Sequence, residues 1–182
     1  MTVQAHPTAP TSERFRRAMG RVPTGVAVVS VAAAAGVDPV GITVGSLAHV
    51  SSEPPLVAFY LQRTSARAER ILAADQLGVS VLARDQADEA LRFASSRGPG
   101  FDGLAVDLSA AGSPRIRGAV LWLEVRITSA FDAGDHTGVL AEVVDFDAPP
   151  GHERPLAFYR SKLVSLNPAA GRHIPTEALG WW

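Results

Sequence analysis

Residues 26–61 read VAVVSVAAAAGVDPVGITVGSLAHVSSEPPLVAFYL, and the fold turns on how this stretch is parsed. Three short runs rich in Val and Ile, at 26–32, 40–47 and 56–61, lie between Gly and Pro clusters, which is the signature of β-strands. Gly36-Val37-Asp38-Pro39 punctuates the first pair as a hairpin would. The middle run does not alternate cleanly. It carries Gly41 and Gly45 four positions apart, with small hydroxyl residues at Thr43 and Ser46 and again at Ser51 and Ser52. Glycine weakens a strand and often marks close approach by a ligand or another backbone; a bulged edge strand is the alternative.

Outward from this stretch the text is mixed. Thr11 or Ser12 can cap a helix through Met19, with Phe15 and Met19 on one face. Thr64 or Ser65 caps a helical run to about Ala74, a strand follows at 77–83, and Asp85 opens a helix to about Ser96. Two long strands at 121–131 and 137–146 flank Asp132-Ala133-Gly134-Asp135. Strands outnumber helices and the spacing is hairpin-like. The expected class is therefore mainly β: an antiparallel β-barrel with peripheral helices. A doubly wound fold would need helices alternating regularly with strands.

The chain has 182 residues, 47% of them hydrophobic and 19% charged, with a formal net charge of -1. Mean hydropathy is +0.12. One domain at 12–167 is expected, with a flexible segment at 1–11 and an extension at 168–182 that ends in Trp181-Trp182. No basic field favours nucleic acid or an anionic membrane. The absence of cysteine removes disulfides, thiolate metal sites and Cys nucleophiles. The first residues lack a signal-peptide pattern, and no apolar run reaches the roughly 20 residues that a membrane helix needs, so a cytoplasmic location is expected.

Gly98-Pro99-Gly100-Phe101-Asp102-Gly103 matches the dinucleotide fingerprint in form. A helical segment precedes it, however, where the fingerprint needs a strand, and a surface loop is the better reading. The histidines at 6, 49, 136, 152 and 173 form no metal-ligand spacing. His136 stands apart because Gly134-Asp135-His136 joins two long strands, although a solvated turn histidine is the better reading of these residues alone. Gln62-Arg63-Thr64-Ser65-Ala66-Arg67 feeds a strand into a helix start. Hydroxyls, guanidiniums and the helix terminus there would suit a phosphate monoester, or an ordinary cap with solvated arginines.

Taken in order, these pieces resemble the flavin reductase-like family, the small reductase components of two-component flavin-dependent monooxygenases, whose fold is the FMN-binding split barrel. The likeness runs from about Phe15 to Leu166. Its markers are Phe15-Arg16, Pro23-Thr24-Gly25-Val26, Gly41-Ile42-Thr43-Val44 through Ser46, Val50-Ser51-Ser52-Glu53-Pro54-Pro55-Leu56, Thr64-Ser65, Gly78-Val79-Ser80-Val81-Leu82 with Gln86, Arg92-Phe93-Ala94, Gly112-Ser113-Pro114, Gly134-Asp135-His136, and Pro155-Leu156-Ala157-Phe158-Tyr159-Arg160. Many relatives carry Gly where this chain has Ala141, and Tyr-Arg-Gly where it has Tyr159-Arg160-Ser161. Gly45 stands where many carry a bulkier or polar side chain.

The resemblance implies reduction of FMN, or FAD, by NADH or NADPH, with the reduced flavin diffusing to a partner monooxygenase, and a homodimer. It places flavin contacts at Pro39, Val40, Gly41, Ile42, Thr43, Gly45, Ser46, Leu47, Ser51, Tyr60, Leu61, Gln62, Arg92 and Phe93, and phosphate contacts at Ser65, Ala66 and Arg67. His136, with Phe158, Tyr159, Arg160 and Ser161, falls where the nicotinamide nucleotide lies. His136 is the one catalytic candidate, as a positioning group and not a proton relay. A flavin-retaining protein acting on its own substrate and a non-catalytic binding member are the other readings.

Overall fold

The runs bounded by Gly and Pro pair with one another, and the pairing fixes the sheet. The computed structural model describes residues 11–34, 36–95, 97–151, 154–167 and Gly171. His6, His152, His173, Trp181 and Trp182 lie outside the described residues. Along the chain run α1 (Ser12–Met19), β1 (Thr24–Gly25), β2 (Ala27–Val31), β3 (Val40–Val44), β4 (Ala48–Ser52), β5 (Pro55–Gln62), α2 (Ala66–Leu72) and β6 (Leu77–Val81). There follow α3 (Ala87–Ala94), β7 (Val106–Leu108), β8 (Pro114–Ile116), β9 (Leu121–Ala133), β10 (His136–Asp147), β11 (Leu156–Tyr159) and β12 (Lys162–Ser165).

Seven strands form one antiparallel sheet in the order β3-β2-β6-β9-β10-β5-β4, and β1, β11 and β12 form a smaller one. Their inward faces share one core: Val29 on β2, Val44 on β3, Phe59 and Leu61 on β5, Leu77 and Val79 on β6, Val125 on β9 and Val139 on β10. Ala68 and Ile71 of α2 join it. A second cluster lies on the other side of β2, where Val26 and Val28 meet Ala90 and Phe93 of α3, with Leu82, Ile116 and Leu156. Strand β2 is thus covered on both sides, which is why its sequence is almost continuously apolar and does not alternate.

The mainly β, antiparallel architecture is the expected one, with the hairpin after β2 closed by reciprocal bonds between Ala34 and Val37 of 3.1 and 2.7 Å. Helix α1 is capped by the Thr11 side chain, which accepts from the Arg14 N–H, and buries none of its residues. Strand β4 was not expected from the sequence: it lies on the sheet edge with four of its five residues exposed, so no apolar alternation announces it. Strand β3 occupies the other edge, and its far side faces β5 across a gap closed by one side chain. The Ser46 hydroxyl accepts from the Tyr60 N–H at 2.9 Å.

Candidate functional site

Two cavities adjoin along β3. The first, of about 290 Å³, is lined by β3 and the residues after it (Ile42, Thr43, Val44, Gly45, Ser46), by Tyr60 and Gln62 of β5, by Ser65 and Arg67 at the start of α2, by Phe93 and Ala94 of α3, and by His136. The second, of about 500 Å³, is mostly apolar, with Met19, Val22, Val26, Ala90, Leu91, Phe158 and Leu163 among its walls. Thr43, Gly45 and Ala94 line both.

Strand register explains the grouping. His136 pairs with Gln62 across β10 and β5, so the two side chains share one face of the sheet. Two residues along, Gly138 pairs with Tyr60 on one side and Phe131 on the other. A Cβ at Gly138 would overlap the Phe131 ring, which folds across the glycine toward Tyr60 and meets it edge-on at 6.4 Å. The hairpin that carries His136 turns at Gly134, whose φ of 69° is the left-handed region that glycine enters without cost.

At the start of α2 the polar groups are cationic and hydroxylic. Ser65 precedes α2, yet its side chain makes no capping bond to that helix. Arg67 donates to the carbonyls of Gly41 and Gly98 at 3.2 and 3.3 Å, which fixes its guanidinium beside β3. His136 Nδ1 lies 2.7 Å from the Asp135 carboxylate. Its hydrogen bond and charge hold the Asp135 carboxyl below the usual carboxylate range, and Arg16 on α1 adds a smaller pull the same way.

The structure brings Ile42, Thr43, Gly45, Ser46, Tyr60, Gln62, Ser65, Arg67, Phe93 and His136 together, and adds Val44 and Ala94. Of the expected nucleotide residues, Phe158 lines the second cavity, and Arg160 and Ser161 form the β11–β12 turn. Arg160 donates its N–H to the Gly20 carbonyl at 2.8 Å.

The other expected residues are not among those lining the two cavities. The Leu61 side chain is wholly within the core. Ser51 pairs with Leu56 in the β4–β5 ladder, and the Arg92 guanidinium bonds the Gly100 and Asp102 carbonyls. Pro39, Val40, Leu47, Ala66 and Tyr159 line neither cavity.

Two physical readings of β3 change. The close neighbour of Gly41 is a side chain: an added Cβ would lie 2.8 Å from Phe93 Cδ1 and 3.1 Å from Val28 Cγ1. The hydroxyls also have protein partners. Thr43 donates to the Ala90 carbonyl at 2.7 Å, so toward a ligand it can only accept, and Ser46 serves Tyr60. The walls of the second cavity contributed by Met19, Val22 and Leu91 carried no motif, because apolar side chains scattered over two helices and a loop leave no pattern in one sequence.

A phosphorylated flavin fits the donor set: a guanidinium, a hydroxyl not used in capping, apolar and aromatic side chains and the backbone of an edge strand all border the first cavity. Comparison with known proteins agrees. The family described as flavin reductase like domain matches residues 19–167. A flavin reductase of Pseudomonas putida is 38% identical over 150 residues, 80% of this chain and 85% of its own. The reductase subunit HsaB of a flavin-dependent monooxygenase from Mycobacterium tuberculosis is 34% identical over 157 residues, 85% of this chain and 82% of its own. The NADH:FAD oxidoreductase SgcE6 of Streptomyces globisporus, solved in complex with NAD and FAD fragments, superimposes with a TM-score of 0.83 at 33% identity over 92% of this chain and 100% of that one. With the fold, the order of motifs and these likenesses in agreement, the chain belongs to the flavin reductase-like family.

Proposed function

We propose that the chain is an NADH:flavin oxidoreductase whose first cavity holds the flavin, with its phosphate toward Ser65 and Arg67. NADH enters by the second cavity. The observation that carries this reading is the common wall: Thr43, Gly45 and Ala94 border both a polar cavity with a cationic end and an apolar one. Two planar rings meeting there would be held face to face, which is most of what hydride transfer asks of a protein. The bound pair of cofactors supplies the hydride chemistry itself.

The remaining work belongs to this chain. Ile42, Val44, Phe93 and Tyr60 present apolar and aromatic surface that displaces water. Strand β3 pairs with β2 on one side only, so a row of its backbone groups faces the cavity side without a strand partner. Such N–H groups stabilise negative charge developing on a bound ring. The Thr43 oxygen accepts, Arg67 and Ser65 hold the anion, Gln62 contacts the flavin, and His136 meets the nicotinamide nucleotide. Neither His136 nor any other side chain has to relay a proton.

Reduced flavin leaves for a partner monooxygenase in the cytoplasm. Apolar side chains left exposed on α1 (Phe15, Met19) and on the long hairpin (Phe131, Phe146) support a homodimer, which a monomer in sedimentation at micromolar concentration would refute. The deciding assay follows loss of NADH and NADPH with FMN, FAD and riboflavin in turn. Turnover is expected with NADH and a phosphorylated flavin; no activity with any pair overturns the proposal.

A further inference from the structure

His136 shares the β5–β10 wall of the first cavity with Tyr60 and Gln62, and its immediate neighbour in the chain decides what it can offer. The hairpin ends with Ala133 paired to His136, leaving Gly134 and Asp135 as the two-residue turn. Asp135 is held there by its backbone: its carbonyl accepts from the Arg63 N–H at 3.1 Å, which extends the β5–β10 ladder past Gln62. The Arg63 guanidinium in turn pairs with Asp132 at 3.2 Å. With the main chain pinned on both strands, the Asp135 carboxylate reaches back to His136 Nδ1 at 2.7 Å.

We propose that Asp135 is a positioning residue that fixes the tautomer and ring orientation of His136. An ionised carboxylate can only accept, so the nitrogen facing it, Nδ1, must carry a hydrogen. In the neutral ring Nε2 is then left with its lone pair. His136 therefore acts as an acceptor toward the cavity and selects a ligand that donates there, as the NH₂ of a nicotinamide carboxamide does. The Asp135 side chain stands in water, so its effect is orientational and modest. This inference rests on the reading that the His136 side of the cavity meets the nicotinamide nucleotide.

The test combines a spectrum with kinetics. Long-range proton–nitrogen correlation of the imidazoles is recorded at about pH 8.5, well above the ordinary histidine pKa, with His136 assigned by its loss in H136N. In the wild type its Nδ1 is expected to be protonated. In D135N the amide can turn its NH₂ toward the ring, which admits the opposite tautomer, and KM for NADH should rise about two- to fivefold, as for loss of one exposed charge contact, with kcat changed less. D147N, which removes an exposed carboxylate from the far end of the same hairpin, should leave both readouts unchanged. A wild-type ring protonated on Nε2, or a D135N spectrum like the wild type, overturns the inference. Unchanged KM for NADH in H136N refutes the nucleotide reading instead, and does so independently of the tautomer.

Discussion

Gly41→Ala separates two explanations of the glycine in β3. If the missing side chain makes room for a bound flavin, alanine should weaken flavin binding and leave the fold alone. The geometry gives the other answer. The added Cβ would lie 2.8 and 3.0 Å from two atoms of the Phe93 ring and 3.1 Å from Val28 Cγ1. Favourable carbon contacts begin near 3.5 Å, so the ring would have to retreat by about 0.5–1 Å. Phe93 is 2% exposed and meets Phe101 with ring centroids 4.6 Å apart, so the ring can yield only by disturbing that contact or by moving into the first cavity that it lines. Overpacking of this kind costs about 1–3 kcal/mol. Replacing a strand glycine returns about 0.5–1 kcal/mol through chain entropy, leaving a net loss of up to about 2.5 kcal/mol, centred near 1 kcal/mol, and a Tm lower by about 2–4 °C at that centre. Thermal unfolding of the apoprotein measures it. G41A/F93L should recover part of the loss, because leucine vacates the ring edge. A G41A protein as stable as the wild type but defective in FMN binding would refute the packing argument and restore the ligand explanation.

The β11–β12 turn and the anion end give two further expectations. Arg160 and Ser161 both have positive φ, 50° and 60°, in a turn where glycine is favoured. S161G should therefore raise Tm by about 1–4 °C for a net gain of about 0.5–1 kcal/mol, and a fall in Tm would show that the Ser161 side chain has a role that its backbone does not reveal. R67A should raise KM for FMN about 10- to 150-fold, the value of one hydrogen bond to a charged group, and leave KM for riboflavin, which has no phosphate, within about threefold under the same estimate. Equal losses for both flavins would show that Arg67 acts through the Gly41 and Gly98 carbonyls alone.

Those predictions also mark where the sequence was readable. The strands with apolar faces announced themselves: β2, β5, β9 and β10 fall within a few residues of the runs that mark them, because burial on a sheet face imposes a pattern on one strand at a time. Strand β4 gave no such signal, since an exposed edge strand has no buried face to write into the sequence. The site was legible where several of its groups are close in sequence, as at Thr43 to Ser46 or Gln62 to Arg67. It was illegible where the wall is made by side chains from distant elements. Met19, Leu91 and Leu163 come from α1, α3 and β12, and only the folded chain places them around one cavity.

The unusual composition of β3 has a packing cause within the protein itself. Gly41 yields to Phe93, Gly45 to Thr24 with an added Cβ only 3.0 Å from its hydroxyl, the Thr43 hydroxyl is donated to Ala90, and Ser46 is spent closing the gap to β5. Each of these side-chain features serves the protein's own packing. What β3 leaves facing the cavity is edge-strand backbone, acceptor lone pairs and apolar surface, while Gln62, Ser65, Arg67 and His136 supply further polar side chains. On the proposed placement a flavin is oriented largely by shape and anchored at its phosphate, with few side-chain hydrogen bonds to break on leaving. That is the balance required of a protein whose flavin must be placed well enough to be reduced and loosely enough to depart.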